Sequence, residues 1–232
     1  IRADLGLDVK LERIPLDDAN TYKLFSEGRT FGVFQFESDG MRDILRRFKP
    51  EKLNDLTALN ALYRPGPIRS GMIDDFIGRK KGNVEVRYEL PQIEAILKDT
   101  LGVIVFQEQV MQLASTLAGF SLGQADILRK AMGKKKAKAM AAFKVDFVEG
   151  ALKKNIDKRL AVEIFNLLEK FAKYGFNKSH STAYALVAYQ TGWLKTHYAS
   201  EFLAANMSSE MDNTDRIATL LESARNMNIE IL

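Results

Sequence analysis

The chain of 232 residues contains no cysteine, two histidines and one tryptophan. Without cysteine it can form neither disulfides nor thiolate metal sites, which is typical of a reducing cytosol. With only His180 and His197 available, a histidine-rich zinc centre is disfavoured as well. No run of eighteen apolar residues occurs, so the sequence predicts a cytoplasmic protein with no membrane contact.

Proline is confined to the first part of the chain. All five prolines lie at or before position 91, and the sequence after them has the pattern of consecutive helices. We therefore predict a mainly α fold, with one or two short β segments near 84–106. Residues 82–91 change from a helical to an alternating pattern and mark a possible seam. The apolar run Val103–Phe106 is either a buried strand or the lead-in to a helix.

The first residues, IRADLGLDVKLER, have neither an initiator methionine nor the apolar core of a signal peptide. We therefore expect the sequence to be a piece of a longer protein. Its apolar content of 46% and charged content of 28% are typical of a globular domain, and 232 residues suffice for one large or two small cores.

Positive charge is concentrated although the formal net charge is only +4. The segment RKAMGKKKAK carries Arg129, Lys130, Lys134, Lys135, Lys136 and Lys138. No acidic residue occurs between Asp126 and Asp146. Such a local excess attracts a polyanion, which predicts contact with nucleic acid. The alternative is a solvated, lysine-rich helix end.

The segment 174–184, YGFNKSHSTAY, has the pattern of a corner between two helices. Gly175 can end the first helix, and Ser179 or Ser181 can cap the second. Three polar residues lie at the predicted N-terminus of the second helix: Asn177, Lys178 and His180. Free backbone N–H groups and the helix dipole make such a place suitable for phosphate. The alternative is an ordinary corner with solvated side chains.

A third basic element is YRPGP, residues 63–67. Two prolines around a glycine predict a stiff turn, with Arg64 and Arg69 on its two sides. Ser70 can cap the following helix. Nothing in the sequence itself says that this turn, the basic segment and the 174–184 corner meet in space.

Several acidic residues invite a metal or catalytic interpretation. The adjacent pairs Asp17–Asp18 and Asp74–Asp75 point in different directions on a helix or strand, so we assign them to turns and helix starts. Glu108 lacks a second carboxylate at a telling spacing, which favours a structural hydrogen bond over acid catalysis. We predict no metal ligand in this chain.

Apolar spacing predicts the buried faces of the helices. The expected core residues of three helices are Met41, Ile44, Leu45 and Phe48; Leu160, Ile164, Leu167 and Phe171; and Tyr184, Val187, Ala188, Thr191 and Leu194. Ser38 can cap the first of these helices, and Ser121–Gln124 has the form of a capping box that opens another.

Five blocks together resemble the family C replicative DNA polymerases, the alpha subunits of bacterial DNA polymerase III. They are GVFQFES (32–38), ALYRPGPIRSGM (61–72), FQEQVM (106–111), ADILRKAMGKKK (125–136) and YGFNKSHSTAYALVAYQT (174–191). The blocks follow the order of the family, and the resemblance runs from about Ile14 to the C-terminus. It implies that residues 1–232 belong to the multi-helix fingers domain, with the palm, thumb and PHP regions elsewhere in a longer chain.

The resemblance also implies what the fingers do. The nucleotide-binding residues would be Arg129, Lys130, Tyr174, Asn177, Lys178, Ser179 and His180. The basic elements predict DNA contacts by Arg64, Arg69, Lys134, Lys135, Lys136 and Lys138. Mg²⁺ would be held by palm aspartates outside this chain, so no catalytic residue is expected here and the fragment alone would be inactive. Expected partners are primer–template DNA, deoxynucleoside triphosphates and other subunits of the polymerase holoenzyme.

Three positions depart from the family pattern. Lys130 stands where a second arginine is frequent, which keeps the charge but loses the bidentate fork. Phe106 replaces a common tyrosine, and Ala199 follows Tyr198 where proline is usual. Two other hypotheses remain open: a helical module that grips nucleic acid without a nucleotide pocket, and an interaction scaffold that uses the 129–138 basic turn.

Overall fold

The computed structural model describes residues 1–133, 137–172 and 174–231. In these residues the chain is mainly helical, as predicted. The α-helices are α1 (Arg2–Leu5), α2 (Ala19–Ser26), α3 (Asp39–Phe48), α4 (Leu53–Leu62), α5 (Pro65–Arg69), α6 (Met72–Lys80), α7 (Pro91–Leu97), α8 (Gln107–Ala118), α9 (Leu122–Gly133), α10 (Ala137–Lys153), α11 (Lys158–Ala172), α12 (Lys178–His197), α13 (Ala199–Ser209) and α14 (Thr214–Arg225). Short 3-10 helices span Leu11–Arg13 and Lys98–Thr100.

The prediction of β segments near 84–106 was wrong, since the described residues contain no strand. Within the described ranges, the alternating residues after Gly82 pair with no strand. Instead, the backbone N–H groups of Asn83 and Val84 both donate to Gly78 O, which folds this segment back onto α6. Val103–Phe106 is the lead-in to α8 and contributes an isolated parallel bridge between Phe106 and Phe176.

The chain divides into two compact units. Unit 1 comprises residues 1–60 and 182–232, and unit 2 comprises residues 61–181. The segment 82–91, where the sequence pattern changes, lies inside unit 2. None of the helices in the described part of the chain combines the length and the apolarity needed to cross a membrane.

The core of unit 2 is formed by α7 to α11. Phe147 of α10 lies at its centre, with ring centroids 6.2 Å from Phe120 and 5.4 Å from Phe165. Gly150, one turn further along α10, packs directly against the backbone of Ala118. The predicted capping box of α9 is confirmed: Ser121 N donates to Gln124 Oε1, and Gln124 N donates to Ser121 Oγ.

The core of unit 1 is built around α12. The ring of Phe25 lies against Gly192, where a Cβ atom would be 2.7 Å from the ring. Lys195, one turn later on α12, is fully buried. Its Nζ donates to Phe31 O at 2.7 Å and to Ser223 Oγ at 2.9 Å. Burial lowers the pKa of Lys195 to about 8, with Arg29 and Arg42 acting in the same direction.

The predicted apolar stripe of α3 is confirmed, whereas those of α11 and α12 are displaced by about one residue. Leu167 and Val187 are 43% and 42% exposed. The residues that are buried are Ala161, Ile164, Phe165 and Leu168 on α11, and Ser181, Ala185, Ala188, Tyr189, Gly192 and Lys195 on α12. Glycine and lysine do not count as apolar in a periodicity, which explains the error on α12.

The acidic pairs have the predicted roles at helix starts. Asp18 Oδ2 accepts a hydrogen bond from Thr21 N and caps α2, and Asp74 and Asp75 lie in the first turn of α6. Ser38 occupies the N-cap position of α3, as predicted, but without a side-chain capping hydrogen bond. The expectation for Ser70 was wrong. It follows the last residue of α5 and donates from Oγ to Pro67 O, because Pro65–Arg69 forms a short helix rather than an open turn.

Candidate functional site

Asn177 of the 174–184 corner is the N-cap residue of α12. Asn177 Oδ1 accepts a hydrogen bond from His180 N at 2.8 Å, which is an N-cap contact. The prediction that Ser179 or Ser181 caps this helix was therefore wrong. Both serines fall inside α12, since the helix already starts at Lys178. Ser181 is buried, and Ser179 is exposed in the first turn.

A carboxylate from the same unit occupies the N-terminus of α12. Glu108 Oε2 accepts from Lys178 N and Glu108 Oε1 accepts from Asn177 Nδ2, both at 3.0 Å. This confirms the structural interpretation of Glu108. An internal carboxylate, rather than a phosphate, therefore already accepts from the Lys178 N–H group and lies at the positive end of the helix dipole.

The chain before α8 is tied to the corner by backbone hydrogen bonds. Phe176 N donates to Val105 O at 3.1 Å, and Gln107 N donates to Phe176 O at 2.9 Å. The side chain of Gln107 adds a bond from Nε2 to Gly175 O at 3.0 Å. A Cβ atom at position 175 would lie 3.2 Å from Gln107 Cγ. A side chain at position 175 would therefore crowd Gln107, and Gly175 lies beyond the end of α11 at Ala172.

Arg129 of α9 points to the same place. Its Nη1 donates to Gln107 Oε1 at 2.9 Å, while Nε and Nη2 donate to Asp126 Oδ1 at 3.0 and 2.8 Å. Lys130 Nζ lies 2.6 Å from Asp126 Oδ2. Hydrogen bonds from Lys130 and Arg129 lower the pKa of Asp126, so this carboxylate stays ionised between two cations.

The YRPGP element reaches the corner from the other side. Arg64 Nη2 donates to Tyr174 O at 2.6 Å, and its guanidinium carbon lies 4.5 Å from the centre of the Phe176 ring. Burial lowers the pKa of Arg64. The Tyr174 ring packs onto Gly66, and the His180 ring lies edge-on to Phe176 with centroids 5.4 Å apart.

The structure therefore brings together the YRPGP element, the lead-in to α8, the start of the basic segment and the corner. The exposed residues Lys178, Ser179 and His180 lie on the surface of this assembly. Arg69 lies at the exposed end of α5 and is not among the residues that make the contacts described above. Lys134, Lys135 and Lys136 lie outside the described residues. Lys138 belongs to α10, but its side chain is also outside the description.

Sequence reasoning missed the residues that connect these elements, namely Gln107, Asp126 and Phe176. The contacts of Asp126 could have been predicted from spacing. Asp126 is three residues before Arg129 and four before Lys130, and residues at these spacings are neighbours on a helix. Gln107 had none, because its two partners are 22 and 68 positions away along the chain.

Carboxylates at this site do not fit a magnesium ion. Asp126 is paired with Arg129 and Lys130, and Glu108 is bound by Asn177 and Lys178. In the described ranges, no three acidic or histidine side chains are grouped so as to hold a metal. A cavity of about 320 Å³ elsewhere in unit 2 is lined by Arg79, Tyr88 and Phe171 among others, and by none of the predicted site residues.

Comparison with known proteins identifies the family. Residues 1–155 match the model of the bacterial DNA polymerase III alpha subunit finger domain. The whole chain is 52% identical to the DNA polymerase III subunit alpha of Pseudomonas aeruginosa, and 96% of it is 54% identical to that of Pasteurella multocida. It spans about a fifth of the length of these curated relatives (20% in each case). The similarity begins at residue 1, earlier than the expected start at about Ile14. The chain therefore belongs to the finger-domain family of bacterial DNA polymerase III alpha subunits.

Proposed function

We propose that this chain is the fingers portion of a replicative DNA polymerase and that it binds the incoming deoxynucleoside triphosphate. The observation that carries the proposal is the hydrogen bond between Arg129 and Gln107, because Gln107 also binds the 174–176 corner. The two elements that the resemblance assigns to the nucleotide are thus adjacent in one unit. Their residues are Arg129, Lys130, Tyr174, Asn177, Lys178, Ser179 and His180.

Arg129 suits the triphosphate chemically. When the primer 3′ hydroxyl attacks the α-phosphate, negative charge accumulates on the departing pyrophosphate, and fixed positive donors stabilise that charge. A guanidinium presents paired N–H groups to two phosphate oxygens, whereas Lys130 can only act as a point charge. The side chain of Lys130 is 61% exposed, so it is accessible to a ligand.

The corner residues are suited to the base and sugar end of the nucleotide. The rings of Tyr174 and His180 supply flat surfaces, and Lys178 supplies a further cation. The His180 ring already packs edge-on against Phe176, so its orientation is defined before a nucleotide arrives. An oriented ring loses little entropy when a base pair stacks on it.

The chemistry itself would need parts of the longer protein. We propose that the two Mg²⁺ ions and the catalytic carboxylates lie outside these 232 residues, since the carboxylates at the site are engaged with cations and amides of their own unit. The ions would neutralise the phosphates during nucleotidyl transfer. Partners of the complete protein would be primer–template DNA and other holoenzyme subunits, in the cytoplasm.

The test is single-turnover incorporation by the full-length polymerase carrying Arg129→Ala or His180→Ala. We expect each change to reduce the rate constant divided by the apparent nucleotide Kd by tenfold or more, with unchanged thermal stability. Arg159→Ala is the matched control, because this arginine is on α11 with a side chain that is 89% exposed. Incorporation close to wild type for both site variants would contradict the nucleotide assignment.

DNA contact by the basic segment is a separate part of the proposal. It assigns the template–primer backbone to Arg64, Arg69, Lys134, Lys135, Lys136 and Lys138. Each phosphate contact steepens the log–log dependence of binding on salt by about 0.9 on a duplex or about 0.7 on a single strand. Changing Lys134, Lys135 and Lys136 to alanine should flatten that slope in fluorescence anisotropy with a labelled primer–template.

The same titration separates the alternatives. A helical DNA-gripping module would lose binding in the lysine variant and keep it in His180→Ala, with no dependence on nucleotide. An interaction scaffold would show no salt-sensitive DNA binding in either protein. Arg64 is less accessible than the exposed Arg69, since its guanidinium is already bonded to Ala61 O and Tyr174 O.

A further inference from the structure

Gln107 connects α9 to the 174–184 corner by hydrogen bonds. It is the first residue of α8 and is partly buried. Its backbone N–H donates to Phe176 O, its Nε2 donates to Gly175 O, and its Oε1 accepts from Arg129. Both ends of one short amide side chain are thus used, by two segments that are 46 positions apart in the sequence, from 129 to 175.

The two partners of Arg129 hold it in different ways. Asp126 is on α9 itself, three residues earlier, so it sets the side-chain conformer but moves together with the helix. Gln107 is on α8 and fixes the guanidinium relative to the corner. Of the two contacts, the one to Gln107 ties the Arg129 guanidinium to the corner, because Gln107 also bonds Gly175 O.

Arg129 retains donors for a ligand in this arrangement. A guanidinium has five N–H groups. Among the described residues three of them are used, by Nε and Nη2 to Asp126 and by Nη1 to Gln107, which leaves two without a partner there. The side chain is 27% exposed, so these two can reach a bound anion.

We propose that Gln107 is a positioning residue for nucleotide incorporation: it holds Arg129 at a fixed distance from the 174–180 corner. This inference rests on the proposed function of Arg129 and goes one step beyond it. Gln107 touches no substrate and acts through Arg129. Without the Gln107 amide, the Arg129 guanidinium keeps its bonds to Asp126 but is no longer held in a fixed position relative to the corner.

Gly175 contributes to the contact between Gln107 and the corner. Because a Cβ atom there would lie 3.2 Å from Gln107 Cγ, the absence of a side chain lets the glutamine approach the corner closely enough to bond Gly175 O.

The Gln107–Arg129 hydrogen bond involves a charged group, and such a bond contributes more free energy than one between neutral groups. We therefore expect loss of the Gln107 amide to raise the apparent nucleotide Kd about tenfold.

The test is a double-mutant cycle in the full-length polymerase, measured by single-turnover incorporation. The variants are Gln107→Met, which removes both polar atoms at similar length, Arg129→Ala, and the two combined. We expect Gln107→Met to raise the nucleotide Kd about tenfold with unchanged affinity for primer–template. In the Arg129→Ala background the same change should add less than twofold, because its partner is gone. Gln112→Met, an exposed position on the same helix, is the control.

The outcomes distinguish the inference from the function on which it rests. If Arg129→Ala leaves incorporation unchanged, the nucleotide role of Arg129 fails and the positioning role fails with it. If Arg129→Ala impairs incorporation but Gln107→Met does not, only the positioning role is overturned. Equal effects of Gln107→Met in both backgrounds would also overturn it, since a general structural change adds independently.

Folding is checked separately, by thermal melting of each variant. Should Gln107→Met not fold, Gln107→Asn replaces it, since asparagine keeps the amide and is too short to make both contacts. Failure of both variants to fold would overturn the positioning role in favour of a structural one.

Discussion

The ring of Tyr174 occupies the space where a side chain on Gly66 would begin. An ideal Cβ atom at position 66 would lie 2.7 Å from two ring carbons of Tyr174. The contact joins the YRPGP element to the corner over more than a hundred positions of sequence, and it is adjacent to the bond from Arg64 to Tyr174 O. Glycine between the two prolines is therefore a packing requirement of the tertiary structure.

Gly66→Ala should displace the Tyr174 ring and lower the free energy of unfolding by about 1–3 kcal/mol, as overpacked sites do. Urea unfolding of the chain measures this. In a Tyr174→Ala background the same substitution should cost almost nothing, because the ring that it meets is absent. An equal cost in both backgrounds would show that another neighbour is responsible.

Removing the charge of Glu108 should destabilise the start of α12. Glu108→Gln keeps one acceptor but directs an amide N–H towards a donor and removes the anion at the N-terminus. We expect a loss of about 1–2 kcal/mol in the free energy of unfolding. Glu149→Gln, the same charge change at an exposed position of α10, should stay within about 0.5 kcal/mol. Equal stability of the two variants would contradict the capping role.

Gly150→Ala should be strongly destabilising, because the added methyl group would meet the backbone of Ala118 rather than a mobile side chain. The helices α8 and α10 would have to separate, which we expect to cost about 3 kcal/mol or more. Gly123→Ala is the control, since nothing lies within 4 Å of its added Cβ. That variant should be unchanged or slightly more stable. Similar urea midpoints for both would be inconsistent with the close packing of α8 and α10.

Lys195 predicts a pH dependence of stability. Its pKa in the folded chain is lowered from 10.5 to about 8 by burial. Between these values the unfolded chain binds a proton that the folded chain has released, so this group makes stability rise with pH over that window and not below it. A shift of this size corresponds to roughly 3 kcal/mol.

The measurement is urea unfolding from pH 7 to pH 10.5 of the wild-type chain and of Lys195→Met. Tyrosines and other lysines titrate in both proteins, so the difference between the two curves isolates Lys195. That difference should increase in favour of the wild type above pH 8. The exposed Lys153→Met variant should run parallel to the wild type, and parallel curves for Lys195→Met as well would show that residue 195 titrates normally.

The basic and polar residues of the candidate site could be recognised because their motifs are contiguous. The 125–136 block and the 174–191 block are each long enough to be read without a structure, and they led to the finger-domain family that the comparisons show. The caps were only partly predictable. Ser121 and Gln124 form the local box that was predicted, whereas the start of α12 is capped by Asn177 and also bonded by Glu108 from a distant segment.

The sequence by itself determined the helical class, the basic segment and the family, because these depend on periodicity, local charge and contiguous motifs. Only the tertiary structure decided that Gln107 links Arg129 to Gly175, that Glu108 occupies the start of α12, and that Lys195 belongs to the core of unit 1. Each of these is a contact between distant segments. A polar side chain becomes buried or engaged there because another segment supplies its hydrogen-bond partner, and no pattern along the chain records that partner.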